Sequence, residues 1–359
     1  MLENDSRARR LRKARLGTVP PVSETVRAAA CRRLDVLTKP LGALGRLEPL
    51  AAQICAIQGT LDVRIAQPVG IVFAADHGVS QSGVSAYPRE VTAQMVSNFL
   101  HGGAAISVLA KLNAIELWIV DAGVEGDCGA HPRLIDAKVR RGTRHFVDEP
   151  AMTPEECAIA LQRGRDVLDR VIPAGGNTLV LGEMGIGNTA ASALLMHGLT
   201  GKELSACVGR GTGVDDCGLE RKKAVLAQAL KRRAAPADPL DLLAEFGGYE
   251  IAMLTGAALG AATRRMLILV DGFTVSVAVA LAARLDPAVL GYCVFGHCSA
   301  EHAHRALLDY LKVQPLLDLD MRLGEGSGAA VALCVVRAAA ALFTDMATFD
   351  GAGVSDKGA

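Results

Sequence analysis

The chain lacks most of the features that would direct it to nucleic acid, a membrane or an oxidising compartment. Lys+Arg and Asp+Glu both number 38 and aromatic residues make up 4%. There is therefore no overall field to hold a polyanion, and few rings on which bases could stack. The nine cysteines are scattered, odd in number and without a Cys-x-x-Cys pair, so neither a disulfide framework nor a zinc knuckle is indicated. Reduced, mostly buried thiols in a cytoplasmic protein are the expectation. The apolar region 251–285 is interrupted by Arg264, Arg265 and Asp271. It never reaches the roughly 18–20 residues that a spanning helix needs, so it reads as buried core. The first residues carry Arg7, Arg9, Arg10, Arg12, Lys13 and Arg15 with no apolar segment behind them, unlike a secretory signal. Residues 1–20 are expected to be a basic, solvated tail. Neither a Walker pattern nor Gly-x-Gly-x-x-Gly occurs at the strand ends considered below.

What is present, in 359 residues at 50% apolar content, is enough to bury a substantial core. Ser23 to Leu37 and Leu44 to Ile57 show helical spacing and are separated at Lys39-Pro40, where proline disfavours helix in the residue before it. From about residue 65, short continuous apolar runs alternate with longer helical patterns. Val69 to Ala74 leads into Asp76-His77-Gly78, Ile115 to Val120 into Asp121, and Thr178 to Leu181 into Gly182-Glu183. Met266 to Val270 leads into Asp271-Gly272-Phe273, and Gly291 to Phe295 into Gly296-His297. Such alternation predicts an α/β protein with a parallel sheet covered on both faces. Ligands bind beyond the carboxyl ends of such strands, so these polar endings mark the expected site.

Three stretches carry candidate chemistry. Gly182 to Thr189 places Gly182, Gly185 and Gly187 between a strand and a helix, with Ile186 and Asn188 among them. Converging backbone N–H groups and a helix N-terminus there would suit a phosphate. Glu183 would repel that anion, and its natural partner is a ribose or a cationic ring. Gly209 to Asp216 is a second glycine-rich loop, followed by a basic segment in which Lys222 is either a point charge for the phosphate or part of a solvated face. Gly324-Glu325-Gly326 sets a carboxylate between two glycines ahead of the apolar run Ala329 to Phe343. It is either a turn in which Glu325 complements the following helix N-terminus, or an accessible general base. Tyr87, Val91, Gln94, Met95 and Phe99 form an apolar patch that either lines a pocket for a flat ring or packs in the core. Asp76, His77, His302 and His304 do not make a ligand set, since His302 and His304 are two apart on a probable helix and face different ways. No metal is expected.

Lys39 to Glu48, Ala75 to Val79, Gly182 to Thr189, Asp271-Gly272-Phe273, Ser299-Ala300-Glu301 and Arg322 to Gly328 together, and in this order, resemble the nicotinate-nucleotide–dimethylbenzimidazole phosphoribosyltransferase family. The resemblance implies a large Rossmann-like parallel-sheet domain (residues 63–325), with a small helical domain drawn from both termini (21–62 and 326–350), assembled as a homodimer. It implies transfer of the 5-phosphoribosyl group of nicotinate mononucleotide to 5,6-dimethylbenzimidazole, giving α-ribazole 5′-phosphate and nicotinate in cobalamin biosynthesis. No cofactor is implied. Under that resemblance Glu325 is the catalytic carboxylate and Glu183 stabilises charge on the ribose. Gly182, Gly185, Ile186, Gly187, Asn188, Lys222 and Ser299 hold phosphate and ribose, while Tyr87, Gln94, Met95 and Leu323 meet the benzimidazole. This chain departs from other members at Tyr87, where serine occurs, and at Met95, where glutamine occurs; Leu41 and Ala43 replace residues often seen as proline and serine. A dehydrogenase on the same type of sheet would need a dinucleotide fingerprint after the first strand, which Ala74 to Gly78 lacks. A nucleotide sensor without turnover is the non-enzyme rival.

Overall fold

The computed structural model describes residues 17–211 and 213–355; the basic segment 1–16 lies outside them. Two helices, α1 (Glu24–Asp35) and α2 (Leu47–Gln58), precede strand β1 (Val69–Ala75). Helices α3 (Val91–Leu100) and α4 (Ala105–Leu112) lead to β2 (Glu116–Gly123) and the short β3 (Leu134–Asp136). Next come α5 (Pro154–Val171), β4 (Thr178–Met184), α6 (Asn188–Thr200), α7 (Leu204–Cys207), α8 (Asp216–Arg232), α9 (Pro239–Phe246) and α10 (Tyr249–Thr263). The remaining elements are β5 (Leu267–Val270), α11 (Phe273–Leu285), β6 (Cys293–Phe295), β7 (His297–Cys298), α12 (His304–Leu311), β8 (Leu317–Asp318), α13 (Ser327–Asp345) and α14 (Phe349–Ala352).

Six strands form one parallel sheet in the order β3-β2-β1-β4-β5-β6. The apolar runs become strands because helices cover both faces, so every residue of β1 is buried and alternation is unnecessary. The strand order reverses between β1 and β4, which pair with Phe73 opposite Glu183 and Ala74 opposite Met184. Connections leave these two strands in opposite directions, opening the crevice in which doubly wound folds bind ligands.

Helix α2 packs between α1 and α13, and α13 also lies against α4, β4, β5 and β7. The two ends of the chain meet where Thr38 donates its N–H to Ala347 and Leu37 bridges Thr348. Buried side chains of α1, α2 and α13, such as Leu34, Ile54 and Leu333, continue into the same core as the sheet. The expected pairing of terminal helices is present, and its hydrophobic face is shared with the larger α/β unit. Helix α13 is long and apolar enough to cross a membrane, yet more than half of it is buried inside the molecule.

Candidate active site

A cavity of about 540 Å³ opens at the carboxyl ends of β4 and β5, beside the strand-order reversal. Its wall brings together Tyr87, Met95, Glu183, Gly185, Ile186, Asn188, Ser299, Leu323 and Glu325 from four separate stretches of the chain. Tyr87 and Leu323 are each about half exposed and stand at its mouth. Thr189, Glu301 and Arg322 also line it.

Glu325 sits in a run of three left-handed residues: Gly324 at φ +88°, Glu325 at +66° and Gly326 at +91°. A non-glycine residue there costs on the order of 1–2 kcal/mol, so the turn is held by other contacts. Gly326 and Ala329 donate their N–H groups to the two carboxylate oxygens of Asp271, each at 3.0 Å, and Ser327 Oγ donates to the Gly324 carbonyl at 2.6 Å. The N-terminus of α13 is thus satisfied by Asp271. Glu325 turns instead toward α4, where its Oε2 accepts a long hydrogen bond from the Ile106 N–H at 3.5 Å. Burial pushes the Glu325 carboxyl up to about 7; the Ile106 N–H opposes this and the Asp271 charge adds to it. A carboxyl with that value ionises near neutrality and makes an effective proton acceptor.

Glu183 lies on β4, since that strand runs on to Met184 and the connecting loop is shorter than the sequence suggested. Its carboxylate accepts from Asn188 Nδ2. Burial, with the charges of Asp271 and Glu250 nearby, pushes it up to about 8. Gly182 is not on the cavity wall; it packs against the Glu325 backbone, where a Cβ would stand 2.2 Å from the Glu325 carbonyl oxygen. Gly187 is the left-handed N-cap of α6 at φ +98°. Packing and helix entry thus account for two glycines that, in sequence, suggested only ligand approach. The Ile186 N–H is also committed, donating to Thr92 Oγ1 at 3.2 Å. What remains for an anion is the entry turn of α6, with Asn188 and Thr189 facing the cavity.

Lys222 is fully buried within α8 and is no part of a solvated face. Its Nζ donates to Thr189 Oγ1 at 2.9 Å and to the Gly209 carbonyl at 3.1 Å, placing the ammonium immediately behind the cavity wall. Burial pulls it down to about 8, against the favourable charge of Glu301. Glu301 itself accepts from the Gly211 N–H at 3.0 Å, and burial moves it upward more than Lys222 and that bond move it down. Ser299 is fixed by His304, whose Nδ1 accepts the Ser299 N–H at 2.8 Å and whose Nε2 meets Ser276 Oγ at 2.9 Å. Burial holds this imidazole neutral, at about 3.

Gln94 and Phe99 are the two residues of the expected ring patch that the structure does not bring to the cavity: Phe99 packs in the core, and Gln94 faces away. It is exposed on α3, because the helical turn that aims Val91 and Met95 inward at positions i and i+4 turns the residue between them away. Sequence reasoning gave no role to Glu301, Arg322 or Thr189; all three lay within quoted motifs, but nothing local showed which way they point. Among the described residues, no group of three or more His, Cys, Asp and Glu side chains converges as a metal site. A second cavity, of about 510 Å³, lies near Arg144 and Arg233; those cations are already paired with Glu156 and Glu245.

A doubly wound sheet with a glycine-lined helix entry and buried, high-pKa carboxyls at its switch point defines a nucleotide-handling α/β enzyme. The chain belongs to the phosphoribosyltransferase family whose profile, described as "Phosphoribosyltransferase", matches residues 19–354. A protein from Cupriavidus taiwanensis named nicotinate-nucleotide–dimethylbenzimidazole phosphoribosyltransferase is 56% identical over 337 residues, 94% of this chain and 97% of that protein. A protein of the same name from Chloroflexus aurantiacus is 47% identical, covering 95% and 98%. A crystal structure of the enzyme so named from Thermus thermophilus superposes with a TM-score of 0.88 at 43% identity, covering 93% of this chain and 99% of the other.

Proposed function

We propose that this protein transfers the 5-phosphoribosyl group of nicotinate mononucleotide to 5,6-dimethylbenzimidazole, with Glu325 as general base. The reaction yields α-ribazole 5′-phosphate and nicotinate, in the assembly of the lower ligand of cobalamin. The observation that carries this reading is Glu325 itself: a carboxyl in the cavity wall, buried and ionising near 7, in a chain whose relatives bear that enzyme's name along nearly their full length.

The benzimidazole ring enters between Tyr87, Met95 and Leu323, an apolar wall that orients it. The Glu325 carboxylate takes the ring N–H proton as the ring nitrogen attacks ribose C1′. The C1′–N bond to the pyridinium breaks, its electron pair stays on the departing nicotinate nitrogen, and the configuration at C1′ inverts from β to α. Positive charge spreads over the ribose as that bond lengthens, and Glu183, bonded to Asn188 beneath it, stabilises that charge when ionised. The 5′-phosphate rests at the entry of α6 near Ser299, with Lys222 as a buried counter-charge acting through Thr189. Positioning of the two reactants supplies much of the acceleration. Residues 21–62 and 326–350 form a small helical lobe beside a catalytic unit of 63–325, and the protein works as a cytoplasmic homodimer. Nine free cysteines support a reducing compartment, and the exposed Val108 and Leu112 on α4 support a subunit contact close to the site.

Release of nicotinate on mixing the protein with nicotinate mononucleotide and dimethylbenzimidazole tests the assignment. Binding of both without release would indicate the sensor reading, and hydride transfer to a dinucleotide the dehydrogenase reading.

A further inference from the structure

Asp271 is fully buried at the carboxyl end of β5 and lines no part of the cavity, yet it contacts the most strained part of the site. Each of its oxygens accepts one backbone N–H, from Gly326 at the end of the turn that carries Glu325 and from Ala329 in the first turn of α13. Its Oδ1 also lies 3.5 Å from His297 Nε2; this buried imidazole has no hydrogen-bond partner on either nitrogen and packs against the Cα of Gly328. We propose that Asp271 is a positioning residue for the transfer reaction, clamping the left-handed Gly324-Glu325-Gly326 turn so that the Glu325 carboxyl is held in the cavity as a strong base. The inference rests on the reading of Glu325 as the base.

The flanking glycines adopt this conformation freely, but Glu325 is strained in it and stays there only where the surroundings hold it. A charged acceptor bonded to the N–H groups of Gly326 and Ala329 ties the exit of the bend to the first turn of α13, and charge-assisted bonds are about twice as strong as neutral ones. The clamp is also electrostatic. The charged or titratable neighbours of Glu325 are Asp271 from β5 and Glu183 from β4, with His297 behind Asp271; α4 presents the Ile106 N–H. Burial is the larger cause of Glu325's basicity, but the Asp271 charge raises Glu325 and Glu183 alike. The same carboxylate thus fixes the base in place and disfavours its ionisation.

The test compares Asp271→Asn with wild type and Glu325→Gln, following nicotinate release and kcat/KM against pH. Asparagine keeps the shape but offers one acceptor to two donors and carries no charge. The expected result is a kcat loss of roughly tenfold to a hundredfold, with KM for nicotinate mononucleotide unchanged and the acidic limb of the profile moved to lower pH. A fall in rate with the limb unmoved would reduce Asp271 to structural support and overturn the proposal, as would full activity. If Glu325→Gln itself turned over like wild type, the base assignment would fail first; an inactive Glu325→Gln beside an unshifted Asp271→Asn profile sinks the Asp271 proposal alone. Should Asp271→Asn fail to fold, hydrogen exchange on the wild-type protein decides: the amides of Gly326 and Ala329 are expected to be protected like the interior of α13, and exchange at open-loop rates would refute the clamp.

Discussion

The Cα of Gly182 lies directly against the carbonyl of Glu325, so close that a Cβ at position 182 would come within 2.2 Å of that oxygen and 2.5 Å of its carbon. Strand β4 therefore forms the seat on which the Gly324-Glu325-Gly326 turn rests. Gly182→Ala forces either the strand or the turn to move. A loss of about 1–3 kcal/mol, the usual range for overpacking, is expected in chemical denaturation, together with a fall in kcat larger than any change in KM. An alanine variant with unchanged kcat would show that the turn tolerates displacement.

Glu325→Gln retains size and burial but cannot accept the ring proton. Its turnover is expected to fall by about two to four orders of magnitude, while calorimetry still detects benzimidazole binding. In wild type, the base is inactive when protonated. With the carboxyl near 7, kcat/KM should rise with pH through that region and level off above it. A profile flat from pH 5 to 8 would assign the proton transfer elsewhere.

Burial and the neighbouring carboxylates push Glu183 up to about 8, so at pH 7 it is mostly protonated. A pyridinium ribosyl group beside it favours the carboxylate and lowers that value. Lys222, also near 8, is already mostly protonated at pH 7 and can take up little. Binding of nicotinate mononucleotide at pH 7 is therefore expected to release protons, measured as a dependence of the calorimetric enthalpy on buffer ionisation heat. The release should vanish in Glu183→Gln; equal release in that variant would point to another group.

Lys222→Met preserves volume and removes the charge behind Thr189. It is expected to weaken nicotinate mononucleotide at least tenfold, the size of a lost charge-assisted contact, with little effect on dimethylbenzimidazole. Equal weakening of the two ligands would argue for a purely structural lysine.

Tyr87 and Leu323 flank the cavity mouth. Tyr87→Ser is expected to change the relative kcat/KM of benzimidazole and its 5,6-dimethyl derivative by a few-fold to about tenfold, as apolar contact with one or two methyl groups allows. KM for the nucleotide should stay constant. An unchanged ratio would remove Tyr87 from the ring pocket.

Much of this was legible in one dimension. Continuous apolar strands ending in Asp76, Glu183 and Asp271 announced a buried parallel sheet and the face on which ligands bind, because hydrophobic periodicity and chain connectivity are local properties of a sequence. Glycine on both sides of Glu325 announced a turn, because left-handed backbone favours glycine. Sequence could not tell whether that carboxylate caps the helix after it, nor that Gln94 turns outward while Met95 faces in, nor that Lys222 is buried rather than solvated. Those outcomes depend on contacts between residues far apart in the chain. Asp271, 54 residues before Glu325, takes over the cap of α13; Gly182 makes room for the turn; Thr189 and Gly209 receive the lysine. The sequence by itself determined the sheet and marked Glu325 as a candidate base. Only the tertiary structure decided where the Glu325 carboxyl faces and how basic it is, since burial and neighbouring charge, the causes of its raised pKa, exist only once the chain is folded.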